Sequence, residues 1–182
     1  MSYISRLKRS VLIILLFSLF VGSLHAQLTV DRVVDGDTFE LSNGETVRLI
    51  GIDTPEKYMS DKLKRDAKRS KHDIETIKEM GRKASRYAKQ LVQGKQIELT
   101  YDQANADTDH RGGYGRLLAY IWILDEKGEH EFMVNRRMVK DGYAHAYTKY
   151  PFKYMEEFRR LERRARKNKR GLWRKTTDLS NQ

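Results

Sequence analysis

Val33-Val34-Asp35-Gly36-Asp37-Thr38-Phe39-Glu40-Leu41-Ser42-Asn43-Gly44-Glu45-Thr46-Val47-Arg48-Leu49-Ile50-Gly51-Ile52-Asp53-Thr54-Pro55-Glu56 is a run of short apolar segments broken by two turn dipeptides. Asp35-Gly36 and Asn43-Gly44 both tolerate positive φ and mark tight hairpins. With Leu28, Val30 and Val34 on a first strand, residues 39–41 on a second and residues 47–52 on a third, the stretch predicts a three-stranded meander. Alternation along the third strand sends Val47 and Leu49 one way and Arg48, Ile50 and Ile52 the other. That leaves a guanidinium on a largely apolar face, where it requires an anionic partner.

Downstream, residues 57–73 crowd seven lysines and arginines without apolar periodicity and are expected to form a mobile basic loop. Ile74, Ile77, Met80, Ala84, Tyr87, Ala88 and Leu91 recur at helical spacing, and Gly94 closes that helix. Ile97, Leu99 and Tyr101 alternate as a fourth strand, and residues 117–124 form a buried fifth, with a polar loop at 102–113 between them. Residues 133–139 predict a short helix, and Tyr154, Phe158, Leu161 and Ala165 the apolar face of a last one, stopped by Gly171, with Trp173 packing back on the core. This order fits an α+β class: a five-stranded Greek-key OB-fold barrel with about three peripheral α-helices, although periodicity alone leaves other α+β folds open.

A chain of 182 residues is expected to hold one domain with a real core and no second. Lys and Arg total 36 against 25 Asp and Glu, a balance that favours polyanionic partners, whether nucleic acid or an anionic membrane surface. Arg6, Lys8 and Arg9 followed by an apolar run at 11–21 and Gly22-Ser23-Leu24-His25-Ala26 have the form of a signal peptide over residues 1–26. The run is too short to span a bilayer, so export to the periplasm or medium is expected, with an uncleaved membrane anchor as the alternative. Residues 27–175 then form the domain and 176–182 a polar tail. Cysteine is absent, which excludes disulfides and thiolate metal sites.

Each chemical motif has an ordinary structural explanation when taken singly. Asp35-Gly36-Asp37-Thr38 is a hairpin turn, Asp53-Thr54-Pro55-Glu56 matches a helix capping box, and Tyr114-Gly115-Arg116 starts a strand. Their combination is harder to explain that way, because the meander brings the first turn to the end of the third strand, so Asp37 and Asp53 can meet. Paired carboxylates without histidine or thiolate suit a hard cation such as calcium.

These segments resemble the staphylococcal nuclease (thermonuclease) family from about Leu28 to Trp173. The resemblance rests on residues 34–38, residues 48–56, Tyr114-Gly115-Arg116-Leu117-Leu118-Ala119-Tyr120 and Gly171-Leu172-Trp173. It implies the barrel fold and calcium-dependent hydrolysis of DNA and RNA, with Ca2+ as cofactor. It further implies Asp37, Asp53 and the Thr54 carbonyl as calcium ligands, Arg48 and Arg116 as phosphate clamps, and Glu56 as the residue that orients or deprotonates water. Asp35 is expected to hold the turn or act behind the metal ligands, Tyr114 to touch phosphate or sugar, and Tyr147 or Tyr150 to stack on a base or pack at the rim. His110 and His145 are alternative general bases, with His110 more simply a solvated loop residue. The segment between Glu56 and Gly81 is longer and more basic than in the family's best-known member, so the resemblance does not fix the shape of the substrate groove. A monomeric nuclease is expected, against a binding module of the same fold that no longer cleaves, or a membrane-attached basic protein without enzymatic role.

Overall fold

The computed structural model describes residues 28–70 and 72–174; the expected signal peptide and the polar tail lie outside them. Strands β1 (Val30–Asp35), β2 (Thr38–Leu41) and β3 (Thr46–Leu49) form the meander, with Val33 opposite Phe39 and Phe39 opposite Val47. The third strand is shorter than its apolar run. At Gly51 φ is +75° and a Cβ would lie 2.4 Å from the Phe152 ring, so the chain turns there and resumes as β4 (Ile52–Asp53). Only glycine accepts both the positive φ and the ring at its face.

Residues 57–73 are not simply a loop: they contain helix α1 (Asp61–Ser70). Ser60 caps it by accepting the Leu63 N–H at 3.0 Å, and Leu63 is fully buried. Helix α2 (Ile74–Val92) starts at Asp73, whose carboxylate accepts the Thr76 N–H at 2.8 Å. Strand β5 (Ile97–Thr100) pairs antiparallel with β6 (Leu117–Leu124), and β7 (His130–Met133) pairs with β6 over residues 122–124. Helix α3 (Val134–Lys140), strand β8 (His145–Ala146), which pairs with β4, and helix α4 (Met155–Lys167) complete the chain before a short 3-10 turn at Gly171–Trp173.

The sheet order is β1-β2-β3-β6-β5, with β7 also on β6. Among the described residues the chain therefore has a six-stranded sheet, a separate β4/β8 pair and four α-helices, where the sequence predicts five strands and about three helices. Parallel pairing of β3 with β6 sets Leu49 opposite Ala119, a contact that needs a long crossover between the strands; α1, α2 and β5 lie within it. Where these strands part, Asn135 at the start of α3 donates to the Ile50 and Ala119 carbonyls at 3.0 and 3.2 Å and accepts the Ile121 N–H at 3.0 Å. A fully buried amide survives only with such partners. The outer strands of the path meet near Thr29, which bridges to Gln96. One core joins Phe39, Val47, Leu49 and Ile121 to Ala84 and Ala88 of α2 and Met138 of α3. No helix among the described residues is long and apolar enough to cross a membrane.

Asp102 ties the polar loop to this core, accepting the Ala104 N–H at 3.0 Å, the Lys153 N–H at 2.8 Å and the Tyr120 hydroxyl. Burial pushes its carboxyl up, but the Lys153 N–H, Tyr120 hydroxyl and Ala104 N–H outweigh it and hold the pKa below the ordinary Asp value. A depressed pKa stabilises the fold above that ordinary value and loses its contribution as pH falls through the lower, folded one. Wild type should therefore lose thermal stability below about pH 4, and Asp102→Asn should lose less over the same interval. Parallel pH curves for the two proteins would remove this role.

Candidate active site

Asp37 is the last residue of the β1–β2 turn, is 2 % exposed, and accepts hydrogen bonds at both oxygens. Oδ1 receives the Arg48 guanidinium and, at 3.1 Å, the Thr38 hydroxyl. Oδ2 receives the Thr54 N–H at 2.9 Å and the Thr54 hydroxyl at 3.1 Å. Arg48 projects from β3 and donates its other terminal nitrogen to Asp53 Oδ1 at 2.9 Å. Residues 48 and 53 would face opposite sides of an unbroken strand; the turn at Gly51 brings Asp53 back to the guanidinium. Burial pulls the Arg48 pKa down, Asp37 and Asp53 pull it up, and the net shift is upward.

The ammonium of Lys62, from the first turn of α1, sits beside this pair. Its Nζ lies 2.9 Å from the Thr54 carbonyl, 3.0 Å from Glu56 Oε1 and 3.2 Å from Asp53 Oδ1. Burial lowers the Lys62 pKa, Asp53 and Glu56 raise it, and the net shift is upward. Sequence reasoning missed this residue because its helix carries a single buried apolar side chain. Ser60 before Asp61, with Lys68 and Arg69 in the last turn, was the available capping signal.

Arg116 Nη1 approaches the Thr38 hydroxyl at 3.5 Å, and its guanidinium lies 5.4 Å from the centre of the Tyr114 ring. Among the described residues it has no carboxylate partner, which leaves the donors not turned to Thr38 available to an anion. The loop carrying it is anchored by Arg111, which forks onto Glu45 at 2.9 and 3.0 Å and donates to the Gly115 carbonyl at 2.8 Å.

Asp35 faces α2: its Oδ1 accepts the Gly36 N–H at 2.8 Å and the Ser85 hydroxyl at 3.2 Å. Burial and the neighbouring Asp37 carboxylate push its pKa up to about 6 against the Gly36 hydrogen bond. Tyr147 lines a cleft of about 480 Å³ shared with Asp53, Thr54 and His145. Tyr150 lies beside it, 6.3 Å between ring centres, and Tyr114 is 88 % exposed. His145 pairs with Glu162 at 3.2 Å and meets the Trp173 ring edge-on. His110 is not simply solvated: it stacks on Tyr101 at 4.6 Å, and its buried Nδ1 has no partner among the described residues.

The described residues contain no group of three or more His, Asp or Glu side chains placed to hold one metal ion. Oxygens converge where the Thr54 carbonyl and the Asp53 and Glu56 carboxylates meet the Lys62 ammonium, and Asp37 adjoins that point through its hydrogen bonds to Thr54. Hard, mixed oxygen donors of this kind fit calcium, whose shell accepts carbonyls and water.

A family model described as Staphylococcal nuclease homologue matches residues 46–175. The chain is 30 % identical over 146 residues to a thermonuclease of Staphylococcus hyicus, covering 78 % of this chain and 72 % of that one. It is 33 % identical over 159 residues to endonuclease YncB of Bacillus subtilis, covering 85 % of this chain and 64 % of the relative. Against the SPbeta prophage-derived endonuclease YokF of Bacillus subtilis it is 34 % identical over 153 residues, covering 81 % of this chain and 44 % of the relative. The chain belongs to the staphylococcal nuclease family. It spans less than two thirds of the two Bacillus relatives.

Helix α2 supports the site through Gly81, where a Cβ would lie 2.6 Å from the Glu56 carbonyl carbon and the Pro55 carbonyl oxygen. Alanine at an ordinary helix position is worth about 1 kcal/mol more than glycine. Here Gly81→Ala should lower the melting temperature, because backbone must move to admit the methyl group. An equal or higher melting temperature would show that α2 does not bear on Glu56.

Proposed function

We propose that this chain is a calcium-dependent nuclease that hydrolyses phosphodiester bonds of DNA and RNA with low sequence selectivity. The observation that carries the reading is the convergence of Asp37, Arg48, Asp53, Thr54 and Glu56 within one hydrogen-bonded cluster, with Arg116 beside it. Family membership and relatives named as endonucleases and a thermonuclease support the same reading. The fold proposed is the family's barrel, closed near Thr29 and Gln96. The protein acts as a monomer and is exported through its first 26 residues.

Asp37, Asp53 and the Thr54 carbonyl are the proposed calcium ligands, and Asp35 supports Asp37 from behind through the β1–β2 turn. Bound calcium supplies fixed positive charge against the phosphate, which lowers the repulsion between diester and nucleophile. Arg116 contributes a planar donor pair to the non-bridging oxygens, and Arg48 the N–H groups that Asp37 and Asp53 leave unused, where charge grows as phosphorus becomes pentacoordinate. Glu56 accepts a proton from the attacking water. The bond from phosphorus to the 5′ oxygen breaks, that oxygen takes a proton from solvent, and a 3′-phosphate end remains. Tyr114, exposed beside Arg116, is the proposed contact to phosphate or sugar. Tyr147, with Tyr150 next to it, supplies an aromatic face for a base.

Labelled oligonucleotide should be cut in calcium and left intact with chelator. Binding without cleavage in calcium would instead make the chain a nucleic-acid-binding module. Arg48→Lys keeps the charge and loses the fork, so its rate should fall at least tenfold with the fold intact. Turnover near wild type would take the clamp role away from Arg48. Asp37→Ala should raise the calcium concentration needed for cleavage, and an unchanged requirement would move the metal elsewhere.

A further inference from the structure

Lys62 is the charged group of the cluster that the proposed reaction does not use. It reaches the Thr54 carbonyl, Glu56 and Asp53 at 2.9, 3.0 and 3.2 Å. Two of these, Asp53 and the Thr54 carbonyl, are proposed calcium ligands, and the third is the proposed base. Calcium binds oxygen at roughly 2.3 to 2.6 Å, so an ion drawn in by these oxygens and the ammonium cannot share the point. Like charges a few ångströms apart also repel strongly where water is partly excluded.

The anchoring of Lys62 suits it to move. Leu63, next in the chain, is fully buried and Ser60 caps the helix start, so the backbone of Lys62 is held. Its side chain is 29 % exposed, and a four-carbon stem lets the ammonium withdraw to water while the helix stays in place. Asp37 makes no ion pair with Lys62; its oxygens hold Arg48, Thr38 and Thr54. The lysine therefore covers the outer side of the cluster and leaves its buried frame intact.

We propose that Lys62 is a tethered competitor for the calcium position: it neutralises Asp53 and Glu56 in the metal-free protein and must leave before calcium binds. The proposal rests on the calcium reading above. A ligand whose site is open only part of the time binds more weakly by that fraction. A lysine in place nine-tenths of the time would weaken calcium binding about tenfold. The device sets a calcium threshold, keeping the metal-free protein stable and the site closed to ions until calcium is plentiful.

Calorimetric titration of calcium, without nucleic acid, tests this on wild type, Lys62→Met, Lys62→Gln and the exposed control Lys64→Met. Both Lys62 variants should bind calcium about tenfold more tightly, and Lys64→Met should match wild type. Without calcium, Lys62→Met should melt lower than wild type, and added calcium should raise its melting temperature by more. In wild type itself, reductive methylation of Lys62 should speed up when calcium is added, with Lys64 unchanged, a readout that does not depend on any variant folding. Equal calcium affinity in wild type and both Lys62 variants, or methylation of Lys62 indifferent to calcium, overturns the competitor role and leaves the calcium reading standing. No saturable calcium binding in any of the proteins overturns both. Cleavage by wild type in chelator that Lys62→Met abolishes would make the ammonium the reaction's own cation, and would overturn competition.

Discussion

The buried Asp37 carboxylate is the constraint on which the rest of the site depends. A charge almost wholly removed from water is tolerable only when its oxygens are paired and hydrogen-bonded, and Asp37 draws its donors from Thr38, Arg48 and Thr54. Those residues lie on β2, on β3 and just after β4. One carboxylate therefore ties the first hairpin to the end of the meander, and it aligns Arg48 so that its second nitrogen meets Asp53. Removing the charge would release the guanidinium and the Thr54 backbone together.

Around this frame the supporting contacts divide by task. Asn135 bridges the two strands at the point where β3 and β6 part, which fixes the start of the turn leading to Asp53. Gly81 lets α2 press on the backbone of Pro55 and Glu56. Arg111 and Glu45 tie the loop that carries Arg116 to the β2–β3 hairpin. The three carboxylates Asp37, Asp53 and Glu56 face two resident cations, Arg48 and Lys62. One of these is built into the sheet, and the other hangs from the first turn of a helix.

Much of this architecture was legible from local pattern. The Asp35-Gly36 and Asn43-Gly44 turns, the helical stripe from Ile74 to Leu91 and the apolar run of β6 each express a preference that neighbouring residues decide. The basic segment was misjudged for a physical reason: α1 is held by Leu63 and a serine cap, and one buried side chain leaves almost no periodic signal. β7 and the β4/β8 pair were missed likewise, because short strands are set by their partners and not by their own alternation.

For the site, the sequence by itself determined the residue types: carboxylates at 37, 53 and 56, arginines at 48 and 116, and turn glycines beside them. It also determined that so basic a chain would need anions to meet. Only the tertiary structure decided that Arg48 and Asp53 share a face, since strand parity forbids it until Gly51 and the Phe152 ring turn the chain. Only the structure placed Lys62 among the oxygens, and turned Asp35 towards Ser85. These outcomes depend on distances between segments far apart in the chain, set by packing that no local run of residues encodes.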